Sequence, residues 1–308
     1  MHIALIGLGL QGRKRLALLV PDVVATVDPV AEDATHLGIE NVPIDSYDCG
    51  IVCTPDHTKV EIIEYLIENN KHVLVEKPLI CSDPTRLRNI DRSASEKNLT
   101  IYTAYNHRFE PNLLRLKQVL DKGDLGSVYT ARIFYGNGTA ADVRESLWRD
   151  TGVGVLSDLG SHLLDLVRYL FGDLPRQYKT LNLENYENRS PDHVITISPG
   201  TPLIELEATL LSWRNTFLVD IICEFGSVHM EGLSKWGPST LKIRRRVYPS
   251  GIPEEIIETA NGPDMTFDKD YRYFLDLIGS GFTSIESDIS IMSDLNQMVL
   301  SHELGENP

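Results

Sequence analysis

Over roughly its first third the chain repeats one unit, a short apolar run followed by an amphipathic stretch. His2 to Gly7 reads as a strand, and Gly12 to Leu19 as a helix stopped by Pro21. Val23 to Val27 and Gly50 to Cys53 read as further strands. Lys59 to Asn69 has helical period, Lys71 to Val75 is a strand, Pro84 to Lys97 a helix and Thr100 to Ala104 another strand. Strand and helix in repetition mean a parallel sheet covered on both faces, because each crossover between parallel strands must run back over one face.

After about residue 125 the texture changes. Val128 to Tyr135, Leu203 to Leu211, Phe217 to Glu224, Ser227 to Glu231 and Leu241 to Tyr248 are longer and alternate in polarity. Such runs suit an antiparallel sheet with one face packed on helices. At 308 residues, 42% of them hydrophobic, the chain is long for one core and suits two. Gly123-Asp124-Leu125-Gly126 is the expected joint. The fold class is therefore α/β. A doubly wound parallel sheet is expected over 1–122, and an α+β domain with a large, open, mainly antiparallel sheet over 123–308.

Charge and composition narrow the function. A formal net charge of -15 disfavours nucleic acid, which needs a clustered basic surface. The one dense basic run, Arg244-Arg245-Arg246, sits within an alternating stretch and reads as an exposed strand. No run of about 18 apolar residues suggests a membrane span, and MHIALIG lacks a basic leader segment. Cys49, Cys53, Cys81 and Cys223 have no C-x-x-C spacing and read as small buried hydrophobes. A cytoplasmic protein acting on a small molecule is expected, with neither a membrane nor a nucleic acid as partner.

Gly7-Leu8-Gly9-Leu10-Gln11-Gly12 follows the first strand and opens the first helix. In that setting Gly7 allows a tight turn, Gly9 lets the backbone approach a pyrophosphate, and Gly12 lets helix and strand pack closely. The diphosphate then meets the helix N–H groups. Asp28 closes the second strand, where a carboxylate accepts hydrogen bonds from an adenosine ribose and repels a 2′-phosphate. NAD is favoured, with NADP left open by Arg13, Lys14 and Arg15 close by.

Two further stretches carry chemistry. In VLVEKPL, residues 73 to 79, a buried run ends abruptly in Glu76, Lys77 and Pro78. The residues alone allow a strand-ending salt bridge or a lysine delivered to the ligand crevice at the strand's carboxyl end. Asp158, His162 and Asp165 share one face if the segment is an α-helix. An imidazole there suits proton removal from a hydroxyl. A buried polar cluster or a metal site are the alternatives, and no close-spaced second His supports a metal.

Four blocks in order resemble the Gfo/Idh/MocA oxidoreductases: GLGLQG at 7 to 12, CTPDHTKV at 53 to 60 with EKP at 76 to 78, NHRFEPNLLRLKQVLDKGDLGSV at 106 to 128, and DLGSHLLDLVRYLFG at 158 to 172. Past 172 the likeness is carried by EFGSVHMEG at 224 to 232. The resemblance implies a Rossmann domain followed by an α/β domain whose open sheet forms a homo-oligomer, a dimer or tetramer. It implies hydride transfer between a nicotinamide and a secondary alcohol or ketone of a sugar, polyol or sugar nucleotide.

The same resemblance gives Lys77 and His162 catalytic roles, with Asp158 as orienting or substrate-binding partner and Asp165 structural. It also suggests a cis Lys77-Pro78 bond. Thr54, Pro55, His57 and Glu76 join the glycine turn and Asp28 on the cofactor side. Asn106, Arg108, Trp148 and Arg149 join Lys77, Asp158 and His162 on the substrate side. Gly152-Val153-Gly154 stands where the family often has three glycines. A reductase of a non-sugar carbonyl or conjugated double bond, or a silent dinucleotide-binding regulator, are the other readings of the same blocks.

Overall fold

The computed structural model describes residues 1–146, 148–172 and 176–305. Its first elements are β1 (Ile3–Ile6), α1 (Leu10–Leu19), β2 (Val23–Val27), β3 (Cys49–Val52), α2 (Asp56–Glu68), β4 (His72–Glu76), α3 (Pro84–Glu96), β5 (Ile101–Ala104) and α4 (Pro111–Lys122). They are followed by β6 (Val128–Gly136), α5 (Ala140–Glu145), α6 (Ser161–Phe171), β7 (Lys179–Glu184), β8 (His193–Ser198) and β9 (Leu203–Thr209). The chain ends with β10 (Thr216–Cys223), β11 (Gly226–Glu231), β12 (Ser239–Arg245), β13 (Glu254–Ala260), α7 (Thr266–Leu277) and α8 (Ile285–Gly305).

The first compact unit holds Met1–Asn106 and Phe267–Met292. Its five strands pair in the order β2-β1-β3-β4-β5, and every pairing is parallel. The order reverses at β1, which makes the carboxyl ends of β1 and β3 the switch point where ligands of such sheets bind. Strand period decides what each face touches. Ile3, Leu5, Ile51 and Leu74 pack with Tyr271 and Phe274 of α7. On the other face Ala4, Ile6, Val52, Val73 and Val75 pack with Ile63 and Leu66 of α2, Leu87 and Ile90 of α3, and Ile285 and Ile289 of α8. Phe274 and Ile285 are wholly buried, each contributing roughly 1.5–3 kcal/mol. Local signals set the helix ends: α3 starts at Pro84 behind Asp83, whose carboxylate accepts from Thr85 N at 2.9 Å.

The second unit holds His107–Thr266 and the chain from Ser293 onward. Eight strands pair as β13-β12-β11-β10-β6-β9-β8-β7, antiparallel except for β6 with β9. One face is core: Ile133, Leu206, Phe217, Val219, Val228 and Leu241 are buried, as are Leu163, Leu164 and Val167 of α6. The other face presents Arg132, Phe134, Leu218, Asp220 and Ile222, none of them buried.

The divisions differ from those expected. The first unit ends at Asn106 and not near 122, because α4 packs on β12 and β13: Asn112 donates to Ser239 Oγ at 2.9 Å and Arg115 pairs with Glu258 at 3.0 Å. The first unit also regains Phe267–Met292, whose apolar side chains cover its sheet. Strands β7, β8 and β13 were not anticipated, although HVITIS alternates perfectly between half-buried and buried positions. Helices α1 and α2 start at Leu10 and Asp56, earlier than their periodic apolar residues suggest. No described helix is long and apolar enough to cross a membrane.

Candidate active site

The turn after β1 has the three glycine geometries that the spacing requires. Gly7 has φ +92, a left-handed conformation that a side chain disfavours. A Cβ on Gly12 would lie 1.8 Å from Gly7 O, so helix and turn are in close contact there. A Cβ on Gly9 would meet nothing within 4 Å, so this backbone is open to approach. Leu10 and Gln11 begin α1, whose N-terminus has no side-chain cap and no acidic residue in its first turn. Its N–H groups and positive dipole end suit a diphosphate.

Asp28 is tied into this turn. Oδ2 accepts from Leu8 N at 2.7 Å, and Oδ1 accepts from Val30 N and Ala31 N at 2.9 Å each. Burial pushes the carboxyl up, but these amides and the nearby Arg13 outweigh it and hold Asp28 below the usual carboxylate range. Each oxygen keeps acceptor capacity for a ribose hydroxyl. The basic residues offered for a 2′-phosphate are differently placed. Arg15 is 1% exposed and turned inward, Arg13 forms a paired hydrogen bond with Asp33 at 2.8 Å, and Lys14 lies 5.7 Å from the Phe267 ring. Arg15 is therefore removed from the NADP alternative.

At the carboxyl end of β3, Thr54 Oγ1 is buried with no hydrogen-bond partner among the described residues, an orphaned polar atom that a ligand amide or hydroxyl would satisfy. Pro55 precedes α2, and His57 is exposed in its first turn. At the end of β4, Glu76 Oε1 accepts from Arg15 Nε at 2.6 Å. Arg15 also donates to Asp270 at 2.8 Å, and Tyr102 donates to Asp270 at 2.6 Å. Burial works against the Arg15 charge, but Glu76 and Asp270 outweigh it and raise its pKa. The Lys77-Pro78 peptide is cis, and Lys77 is half-buried directly after β4. Pro78 O accepts from Lys59 Nζ at 2.8 Å. Asn106, buried, ends this unit after β5.

In the second unit, Asp158 lies in a π-helical turn over Leu156–Gly160 that leads into α6, with Ser161 N donating to Leu156 O. The three polar positions therefore do not lie on one uniform α-helix, because a π-turn changes the angular step between residues. Asp158 is partly exposed and accepts from Arg149 at 3.1 Å, and its charge also raises the pKa of buried Tyr135 after the larger effect of burial. His162 is buried, and its ring stacks on His107 at 4.0 Å. Tyr135 lies 6.0 Å from His162, and Trp236 lies 5.8 Å from Tyr135. Asp165 is buried and accepts from Arg108 Nε at 2.9 Å. Arg108 thus anchors Asp165, while Trp148 is 51% exposed.

His107, Lys235, Tyr135 and Trp236 were not singled out from the sequence. Lys235 Nζ lies 3.0 Å from His107 Nε2, a nitrogen that accepts when the lysine is an ammonium, which has only donors. The turn carrying Lys235 is held by buried Glu110, which accepts from Ser234 N at 3.0 Å and Ser234 Oγ at 2.8 Å. His107 had a local signal, its place in NHRF, whereas Lys235 comes from a remote turn that no spacing links to it. Among the described residues, no group of three or more His, Cys, Asp or Glu side chains is arranged to hold a metal.

A doubly wound sheet with an open glycine turn, an uncapped helix and an ionised carboxylate after the second strand defines a dinucleotide-binding protein. The family model described as the oxidoreductase family with NAD-binding Rossmann fold matches residues 1–105, and that of the GFO/IDH/MocA C-terminal domain matches residues 113–228. The chain belongs to the Gfo/Idh/MocA family of NAD-binding proteins. Levoglucosan dehydrogenase of Pseudarthrobacter phenanthrenivorans is 32% identical over 172 residues, 51% of this chain and 44% of that protein. The scyllo-inositol 2-dehydrogenase (NADP(+)) of Bacillus subtilis is 32% identical over 125 residues, 40% of this chain and 34% of that protein. The matched regions thus span about half or less of these relatives. A solved levoglucosan dehydrogenase in complex with NADH has a TM-score of 0.83 at 18% identity, covering 98% of this chain and 96% of that one, a likeness of fold.

Proposed function

We propose that this protein is a dehydrogenase that uses NAD(H) to interconvert a secondary alcohol and a ketone on a sugar, polyol or sugar-nucleotide-type substrate. The observation that carries this is Lys77, a lysine immediately after β4 in the sheet whose β1 end holds the dinucleotide turn. Gly7 to Gly12, Asp28, Thr54, Pro55 and His57 would hold the cofactor, which supplies or accepts the hydride. Lys77 donates a hydrogen bond to the substrate oxygen and stabilises negative charge developing there. In the second unit, His162 takes the hydroxyl proton, with Asp158 as orienting or substrate-binding partner. Asn106, Arg149 and Trp148 contribute to substrate recognition. Arg108 acts through Asp165.

The ionised Asp28 supports NAD over NADP, although one relative is named for NADP(+). The dehydrogenase names of the relatives support the reaction class. Apolar side chains on the uncovered sheet face support a homo-oligomer, and four free cysteines suit the reducing cytoplasm. The test is a panel of polyols, sugar acids and nucleotide sugars, followed by the absorbance of the reduced nicotinamide. Turnover on at least one with NAD(H) is expected. Binding of NAD(H) without turnover on any of them would overturn the dehydrogenase assignment.

A further inference from the structure

Lys59 is 2% exposed, on the apolar stripe of α2 that also buries Val60, Ile63 and Leu66. Lysines almost never bury fully unless paired. Here Nζ donates to Asp56 Oδ1 at 2.7 Å and to Pro78 O at 2.8 Å. Burial lowers the proton affinity of this amine, against the pull of Asp56 and Glu76. A methionine would fill similar space with no charge to desolvate, and buried ion pairs are often no more stable than apolar replacements. Stability alone therefore gives no reason for an ammonium at this position.

The second acceptor supplies one. Pro78 follows Lys77, and its carbonyl lies in the Pro78–Leu79 peptide plane, so the bond from Lys59 fixes the backbone one residue beyond the lysine. On the preceding side, Glu76 is held by Arg15 from α1. The residues on both sides of Lys77 are thus tied to buried cations from α1 and α2, whose apolar residues Leu19 and Ile63 pack on opposite faces of the sheet.

We propose that Lys59 is a positioning residue whose hydrogen bond to the Pro78 carbonyl holds the Glu76-Lys77-Pro78 turn in the arrangement that presents Lys77 to the substrate oxygen. The assignment rests on Lys77 acting at the reacting oxygen. A misplacement of about 1 Å in a reacting group costs on the order of 10²-fold in rate.

The test compares Lys59→Met with Asp56→Asn in the full chain. Methionine removes the donor. Asparagine removes the counter-charge but leaves an amine that donates to Pro78 O whether charged or neutral. Lys59→Met should lower kcat by roughly 10- to 100-fold, with KM and the dissociation constant of NADH within about threefold of the parent. Asp56→Asn should keep kcat within about threefold.

Hydrogen exchange by mass spectrometry on the protein without added cofactor gives a readout independent of turnover. The Leu79 N–H shares its peptide plane with the Pro78 carbonyl, so exchange in a peptide covering 77–81 should quicken in Lys59→Met alone. Should Lys59→Met not fold, Lys59→Leu, which also lacks a donor, takes its place under the same criteria. An unchanged kcat in the Lys59 variant, or an equal loss in Asp56→Asn, overturns the proposal while leaving the dehydrogenase assignment standing. Absence of turnover in the parent protein sinks that assignment instead, and unchanged exchange then overturns the mechanical role as well.

Discussion

At Asp28, burial opposes ionisation, and the amides of Leu8, Val30 and Ala31 reverse the balance. Because the folded pKa lies below the unfolded one, this group stabilises the fold above the unfolded value near ~3.9 and loses that contribution as pH falls through the lower folded value. Asp28→Ala should therefore cost about 1–3 kcal/mol at neutral pH and flatten the acid limb of stability, read from urea denaturation across pH. The same change should narrow the preference for NAD(H) over NADP(H). Equal binding of the two in the parent protein would remove Asp28 as the selector.

Lys77 and His162 make sharper predictions. Arginine keeps a positive charge but spreads it over a wide planar fork, so Lys77→Arg should impair hydride transfer nearly as much as Lys77→Met, with cofactor binding kept. Near-normal single-turnover transfer by the arginine variant would count against the lysine's proposed role. His162→Ala should lose about 10²–10⁴ in turnover, the usual worth of a positioned acid or base, with little change in NADH affinity.

Among elements, α1 is joined to β4 and α7 by charge as well as by packing. Arg15 bridges Glu76 on β4 and Asp270 on α7, and Phe267 lies 5.1 Å from its guanidinium. Removing one partner of a buried ion pair strands the others in a medium that cannot solvate them. Arg15→Met should therefore cost about 3–5 kcal/mol in chemical denaturation. A loss below 1 kcal/mol would mean that water reaches the carboxylates. The π-turn before α6 is a second element-scale device: its extra residue per turn separates the environment of Asp158, which meets Arg149, from that of Asp165, which is buried against Arg108.

For the whole molecule, the informative surface is the uncovered side of the eight-stranded sheet. Leu218 lies opposite Phe134, which lies opposite Glu207, which lies opposite Ile195, and Ile222 on the same side is 43% exposed. The apolar side chains of this row, interrupted by Glu207, suit the proposed association of copies through this face. Sedimentation should find an oligomer, and Leu218→Glu should shift it toward monomer without unfolding. A monomeric parent protein would leave this face without the proposed role.

What the amino-acid order determined by itself was local. The strand–helix repeat, the glycine turn and the end of β4 were legible because each depends on a few consecutive residues: apolar period, a left-handed φ at Gly7, a proline that stops a ladder. The same holds for the position of His162 on α6. Only the tertiary structure decided the rest. Arg15 looked like a phosphate ligand from its neighbours and proved to be the buried partner of Asp270, 255 residues away. Lys59 read as the start of a helix and became the donor to Pro78, because α2 turns that position onto the sheet. His107 gained its partner Lys235 from a turn 128 residues later. The return of Phe267–Met292 to the first sheet was likewise set by which apolar faces remained to be covered. Burial and ion pairing depend on what arrives from elsewhere in the chain, and a local pattern carries no record of that arrival.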